Sequence, residues 1–196
     1  VLRFGDVEER SNQLARALRD AGCRRGDRVC VLLPRGPEAI VATLAVRKAD
    51  GVAVPLDVSG PASRLATIIR LCEPRVVLTV SSGAALLDQV FMSGVPGGRI
   101  RVASMGTSPI VGEQFATTFC VRDVEQLATK PLTYRNRTAN PAEIVFNMSS
   151  REMPRGVVLT HANMRRLLLW ANDYFGVMPG DRHSWHSPLG EGASLY

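Results

Sequence analysis

The sequence predicts an α/β fold in which helices flank a mostly parallel sheet, and three observations support this prediction. Short apolar runs alternate with amphipathic helical stretches between residues 28 and 103. The first run, residues 28–33, is almost uninterrupted in its apolar side chains, which is typical of parallel strands covered on both faces. Hydrophobic residues make up 45% and charged residues 21% of the 196 residues, enough for one ordinary core.

The individual elements follow from periodicity and from stop signals. Residues 5–21 form a predicted helix, because Leu14, Leu18 and Ala21 share one face and Gly22 supplies the stop. Pro37 begins a second helix, with Ile40, Val41, Leu44 and Ala45 expected inward. The predicted strands are residues 28–33, 52–56, 75–80 and 99–103, and the predicted helices between them are 38–48, 61–73 and 84–91.

The remainder is predicted as an irregular connection, residues 104–140, followed by a strand and a long helix. We expect one short strand and a helical stub at 124–128 within the connection. Thr160 is the predicted N-cap of a helix over 161–175 that stops at Gly176. A turn at 179–181 and a strand at 183–187 should follow. The side chains expected to be buried on the long helix are Met164, Leu167, Leu168, Ala171 and Phe175.

These assignments describe a single α/β unit over residues 1–196. Residues 1–103 form its doubly wound part, and residues 141–196 contribute the late strand, helix and following strand. Both ends of the chain look cut, so we expect a fragment of a longer protein.

Charge and cysteine content argue against several classes of protein. The net charge is +6 and is carried by arginines that are scattered, while aromatic residues make up 6%; this favours a solvated surface over a nucleic-acid interface. No apolar run is long enough for a membrane span, and no signal segment opens the chain. The four cysteines lack zinc or disulfide spacing, and Cys30 and Cys72 are predicted buried thiols, so we expect no metal and a cytoplasmic location.

The segment between the apolar runs 144–146 and 157–159 is the candidate site. It carries Ser149, Ser150 and Arg151 directly after a buried strand, where backbone N–H groups and side-chain donors can converge on an anion. It lacks the spaced glycines and the Gly-Lys-Ser/Thr ending of a Walker A loop. From these residues alone, an ordinary polar turn remains the alternative.

Four segments, in this order and spacing, resemble one family. They read DVEERSNQLARAL at 6–18, GDRV at 26–29, KADGVAVPLD at 48–57 and PRGVVLTH at 154–161. The chain resembles, from about residue 3 to its end, the N-terminal part of the adenylate-forming enzymes. These include acyl-CoA synthetases, adenylation domains of nonribosomal peptide synthetases, and luciferases.

The resemblance implies a reaction and its ligands. Members use ATP and Mg²⁺ to convert a carboxylic acid to an acyl-adenylate, and most pass the acyl group to a thiol of coenzyme A or a carrier protein. A loop ending in Pro-Lys-Gly grips the phosphates, which implies cofactor contacts here at Asn147, Ser149, Ser150, Arg151 and Arg155. The resemblance assigns no catalytic residue within this chain.

The sequence departs from the family at this loop. The family pattern Thr-Ser-Gly-Ser-Thr-Gly is replaced by Asn-Met-Ser-Ser-Arg-Glu, so Met148 removes a hydroxyl donor, and Ser149 and Glu152 replace glycines. Side chains there make positive φ and close backbone approach costly. The charge of Glu152 would oppose phosphate by about a few kcal/mol at contact distance, which Arg151 and Arg155 would partly offset. We therefore expect weak ATP binding or none.

A second departure concerns the substrate. The resemblance places substrate contacts at His186, Glu191 and Gly192, where Glu191 stands in a position that is often His and Gly192 in one that is often Asp. An amino-acid substrate is therefore disfavoured, and an acyl substrate gains no support. Without the resemblance, His183 and His186 are surface residues of a strand.

Three functions remain open from the sequence. The chain is the N-terminal portion of a carboxylic-acid-activating ligase, incomplete and inactive alone because the family's adenine, ribose, metal and catalytic-lysine elements are missing. Alternatively, it is a catalytically dead relative that docks a carrier or synthetase protein. The third alternative is a basic protein that binds nucleic acid or a membrane surface.

Overall fold

The computed structural model describes residues 2–146, 153–178 and 180–181, and these ranges contain six strands and six α-helices. The elements in chain order are α1 (Phe4–Asp20), β1 (Arg28–Leu32), α2 (Pro37–Lys48), β2 (Val52–Leu56), α3 (Ala62–Cys72), β3 (Val76–Thr79), α4 (Ala84–Met92), β4 (Arg101–Ser104), α5 (Val121–Val124), β5 (Pro141–Phe146), β6 (Gly156–Thr160) and α6 (His161–Phe175).

The six strands form one sheet in the order β4-β3-β1-β2-β5-β6. Strands β1 to β5 run parallel, and β6 pairs antiparallel with β5, so β6 is the last strand on that side within the described residues. Cys30 in β1 lies between Val54 of β2 and Val77 of β3, at the centre of the parallel part. The predicted fold class, a mostly parallel sheet flanked by helices, is confirmed.

Helices cover both faces of the parallel strands, which explains why those strands are continuously apolar. Side chains alternate across the sheet. Val29 and Val31 of β1 point into a core shared with α1, α2 and α5. Cys30 and Leu32 point into a second core shared with α3 and α4. Two buried layers therefore sandwich the sheet, and all four cysteines are buried free thiols, as predicted for Cys30 and Cys72.

Most predicted elements are confirmed within one or two residues. The predicted bounds of β2 and α6 agree with the structure, and α1 and α2 each differ by one residue. The helix stops at Gly22 and Gly176 adopt φ of +83° and +60°, which glycine reaches without strain. Thr160 caps α6 as predicted: its Oγ1 accepts the Asn163 N–H at 3.1 Å.

Two predicted details are wrong. The helical stub in the irregular connection is α5 at Val121–Val124, not 124–128, because the Asp123 carboxylate accepts the Cys120 N–H at 2.8 Å and starts the helix earlier. Ile40 on α2 is exposed, since it lies on the helix's outer side, whereas Val41 and Ala45 are buried.

The burial predicted for α6 is also wrong in part. Met164 is buried, but Leu168 and Phe175 are 47% and 67% exposed. Nothing in the described part of the chain covers that face, although its spacing is that of a helix with one apolar side. The predicted strand at 183–187 lies outside the described residues.

Candidate functional site

The candidate loop is held at both ends by paired strands. Phe146, the last residue of β5, pairs with Gly156, the first residue of β6. Because β5 is parallel to β2, its last residue lies at the carboxyl edge of the sheet. In open parallel sheets this edge is where ligands bind. Residues 147–155 therefore connect two neighbouring strands at this edge.

The base of this connection is tightly packed. Phe146 is buried in the core beneath α3 and α4. A Cβ atom on Gly156 would lie 2.9 Å from both Phe146 Cζ and Ile144 Cγ2. Any side chain at this position would push those groups aside. Gly156 is thus required by a close approach, and it fixes where β6 leaves the loop.

The predicted site residues are placed unevenly. Arg155 lies directly before β6 and is exposed, and Met153 is 66% exposed. Asn147, Ser149, Ser150 and Arg151 lie outside the described residues, as do His186, Glu191 and Gly192. The structure therefore locates the two ends of the loop and leaves its individual contacts as predictions.

Strand β2 lies beside β5 in the sheet, so the turn that follows β2 is next to the start of this loop. The sequence did not identify this turn as part of the site. Asp57 accepts hydrogen bonds from the Ser59 N–H at 2.9 Å and the Ser59 hydroxyl at 2.7 Å. Both carboxylate oxygens are thus used within the turn. The Asp-x-Ser spacing indicates such a turn, but its closeness to the loop depends on the β2–β5 pairing, which the sequence does not reveal.

The N-terminus of α6 lies at the opposite edge of the sheet. Strand β6 runs antiparallel to β5 for five residues, about 13 Å, before α6 begins. Its first backbone donors are already bonded, from His161 N–H to the Asn140 carbonyl and from Ala162 N–H to the Thr138 carbonyl. The N-terminus of α6 is therefore not a binding site for an anion at the loop.

A buried ion pair ties β5 to α2. The Arg47 guanidinium lies 2.6 Å from Glu143 Oε2, and Glu143 is fully buried in β5 opposite Ala53 of β2. Burial raises the pKa of Glu143, and the Arg47 charge opposes that rise. The second carboxylate oxygen, Oε1, has no hydrogen-bond partner among the described residues. This pair fixes the start of the strand that leads into the loop.

A cavity of about 510 Å³ also opens near the carboxyl edge, between α1, α2 and the segment after β4. Its lining includes the carboxylates of Asp6, Glu9, Glu38 and Glu125, which disfavour a phosphate group. Its lining includes residues of α1, α2 and α5 and none of β5 or β6. This cavity is therefore distinct from the loop.

Three of the buried thiols are not activated. Burial raises the pKa of Cys72 to about 11 and that of Cys23 to about 12, and it raises the pKa of Cys30 as well. A thiol with such a pKa stays protonated near neutral pH and is a poor nucleophile.

No helix among the described residues is long and apolar enough to cross a membrane.

The chain belongs to the AMP-binding enzyme family, whose model matches residues 2–196. Tyrocidine synthase 1 of Brevibacillus parabrevis is 26% identical over 198 residues, covering 100% of this chain and 16% of that protein. The AMPPNP-bound form of the nonribosomal peptide synthetase FmoA3 is 27% identical with a TM-score of 0.77, over 97% of this chain and 18% of that one.

A solved structure of lower sequence identity shares the fold. ATP-bound MatB from Rhodopseudomonas palustris is 20% identical with a TM-score of 0.79, over 98% of this chain and 36% of that one. The chain therefore spans a minor part of each relative. The resemblance to adenylate-forming enzymes that the four sequence segments predicted is confirmed at the level of the family.

Proposed function

We propose that this chain forms the phosphate-binding side of a domain that activates a carboxylic acid with ATP, and that its loop holds the triphosphate weakly. The observation that supports this is the β5–β6 hairpin, whose connection 147–155 leaves the carboxyl edge of the parallel sheet. Relatives crystallised with ATP or AMPPNP share this fold. The four buried free thiols accord with a cytoplasmic location.

The chemistry explains why such a loop matters. A carboxylate is a poor electrophile and is repelled by the triphosphate, so the domain must neutralise the phosphates and hold both reactants in line. Arg155 and Arg151 would supply guanidinium donors, Asn147, Ser149 and Ser150 polar side chains, and Mg²⁺ would carry additional charge. An acid substrate near His186, Glu191 and Gly192, and a thiol acceptor, complete the proposal.

The weak ATP binding that we expect of this loop has a specific origin. Ser149 and Glu152 occupy positions where glycine would let the backbone approach the phosphates, and Glu152 adds a like charge. The test is calorimetric titration of the natural full-length polypeptide with MgATP, followed by ATP–pyrophosphate exchange. We expect millimolar binding in the wild type and tighter binding in the Ser149→Gly/Glu152→Gly variant.

A matched control is available in the exposed loop before α5. The same two changes there, Ser108→Gly and Glu113→Gly, should leave ATP binding unaltered. Equal gains in both variants, or no ATP binding even after the glycines are restored, would contradict the proposal.

The same substitutions favour a second function, a relative that has lost catalysis and docks a carrier or synthetase protein. Met148, Ser149, Glu152 and Glu191 motivate it. Recovery of pyrophosphate exchange in the Ser149→Gly/Glu152→Gly variant would support lost catalysis on an intact scaffold. Exchange already present in the wild type would exclude this second function.

A further inference from the structure

A second cavity, of about 390 Å³, lies at the amino edge of the sheet, at the other end of β5 from the loop. Three elements surround it: the last turn of α2 with Arg47, the segment 134–138 that precedes β5, and His161 at the start of α6. The length of β5 separates this cavity from the loop by about 17 Å. A ligand bound in this cavity would therefore lie apart from the proposed ATP site.

The residues that line this cavity include three basic side chains and no carboxylate: Leu44, Arg47, Lys48, Tyr134, Asn136, Arg137, Thr138 and His161. The nearby acids are all paired, and two of them pair with cations of this lining. Asp50 bonds to Arg19 at 2.8 Å and to the backbone N–H groups of residues 135 and 136. Glu8 pairs with Lys48 at 2.7 Å, and Glu143 pairs with Arg47.

The basic residues differ in what they can offer. The ammonium group of Lys48 is already fully engaged. It bonds to Asn12 Oδ1 at 2.8 Å and to the Glu8 carbonyl at 3.2 Å, and it pairs with the Glu8 carboxylate. Arg47 bonds to Glu143 through one terminal nitrogen, and its side chain, which is 21% exposed, lines the cavity. Arg137 is exposed at the rim, and none of the three ion pairs in the described ranges involves it.

His161 adds a neutral donor. The amide nitrogen of Asn136 lies 3.2 Å from His161 Nε2, so this ring nitrogen accepts and the ring proton resides on Nδ1. Burial, together with the Arg47 charge, lowers the pKa of His161, which keeps the ring neutral near pH 7. Thr138 and Tyr134 contribute hydroxyl groups to the same lining.

We propose that this amino-edge cavity binds a small anionic ligand through a phosphate or carboxylate group, with Arg47 and Arg137 as the cationic contacts. Guanidinium groups match the geometry of both anions, and the neighbouring hydroxyl and imidazole donors can complete their coordination. The volume is within the range of small-molecule sites. Because the backbone donors of α6 are already bonded, recognition depends on side chains and is open to mutation.

The test is titration of the natural full-length polypeptide with inorganic phosphate and, separately, with citrate at constant ionic strength, following the His161 and Asn136 side-chain signals by NMR. We expect saturable shifts with at least one of the two probes. The probe that saturates at lower concentration identifies phosphate or carboxylate as the preferred group. Shifts that rise linearly with both probes and never saturate would overturn the proposal.

Three variants make the test specific. Arg137→Ala should weaken binding at least tenfold, and it should fold normally because the side chain is exposed. Arg99→Ala removes an exposed arginine away from the cavity and should leave binding unchanged. Arg155→Ala changes the loop and should also leave it unchanged. If Arg99→Ala weakens binding as much as Arg137→Ala, the effect is general charge and the proposal fails.

The Arg155→Ala arm also separates this proposal from the proposed ATP function. Phosphate binding that is lost in Arg155→Ala and retained in Arg137→Ala would assign the anion to the loop. That result would overturn the amino-edge site and leave the ATP proposal standing. The opposite pattern would support the amino-edge site whatever the fate of ATP binding.

Discussion

The two halves of the sheet differ in how completely they are covered. Strands β1, β2 and β3 are buried on both faces between helices. On the outer side of β4, the segment around Thr118 bonds to the strand, with the Thr118 N–H 2.7 Å from the Val102 carbonyl. In contrast, β6 is exposed or half-buried along its whole length, and Trp170 on α6 is 54% exposed.

This difference shows that apolar side chains have different roles in the two halves of the sheet. In the parallel half, burial of apolar side chains stabilises the fold directly. In the β6–α6 half, side chains of the same type remain exposed on the described part of the chain. Four measurements test this contrast, and they are described from the largest expected effect to the smallest.

Replacing a core leucine should have the largest effect. Leu32→Ala in β1 removes a side chain with 0% exposure and should lower the free energy of unfolding by about 2–5 kcal/mol. Leu169→Ala on α6, where the side chain is 53% exposed, should change it by less than about 0.5 kcal/mol. Urea unfolding of both variants measures the difference. Equal losses would mean that α6 is covered in the natural protein.

Breaking the buried ion pair should come next. Arg47→Met leaves the Glu143 carboxylate buried without its cation, so unfolding should be easier by about 3 kcal/mol at neutral pH. The loss should shrink in acid, because the pKa of Glu143 is already raised by burial and protonation removes the unpaired charge. Arg99→Met is the control, and a loss that is independent of pH would contradict this account.

Adding a methyl group at the base of the loop should have a smaller effect. Gly156→Ala forces Phe146 or Ile144 to move and should cost about 1–3 kcal/mol. Gly98→Ala is a matched control, since its Cβ would meet nothing within 4 Å. Thermal unfolding compares the two. If Gly156→Ala is as stable as the control, the loop base is looser than the structure indicates.

The titration of His161 should have the smallest effect. Its pKa is lowered in the folded state from 6.5, so the unfolded state binds more protons in the window just below that value. Stability should therefore fall as the pH drops through this window. His161→Gln should remove that part of the pH dependence. Glu143 is present in both proteins, so the difference between their profiles isolates His161; identical profiles would contradict the assignment.

Local sequence patterns predicted those structural features that depend only on residues close together in the chain. The apolar run at β1, the stops at Gly22 and Gly176 and the cap at Thr160 are all confirmed, because each depends on a few adjacent residues. The four family segments also indicated that a loop would follow a buried strand. The β5–β6 pairing then placed that loop at the carboxyl edge.

Interactions between distant residues were not predictable in the same way. Arg47 and Glu143 are 96 positions apart, and nothing in the local pattern of either indicates the other. The same holds for the β2–β5 contact that brings the turn at Asp57 beside the loop. The exposure of Leu168 was missed because helical spacing indicates which face is apolar, but not what covers it.

The position of β6 at the end of the sheet also bears on how the isolated chain should behave in solution. Among the described residues β6 is the last strand of the sheet, and Val157 and Val158 add exposed β-branched side chains to it; a terminal strand can offer backbone donors and acceptors for pairing. Such a strand is a template on which another molecule can add a strand of its own. We expect self-association of this chain to begin at β6 and to increase with protein concentration.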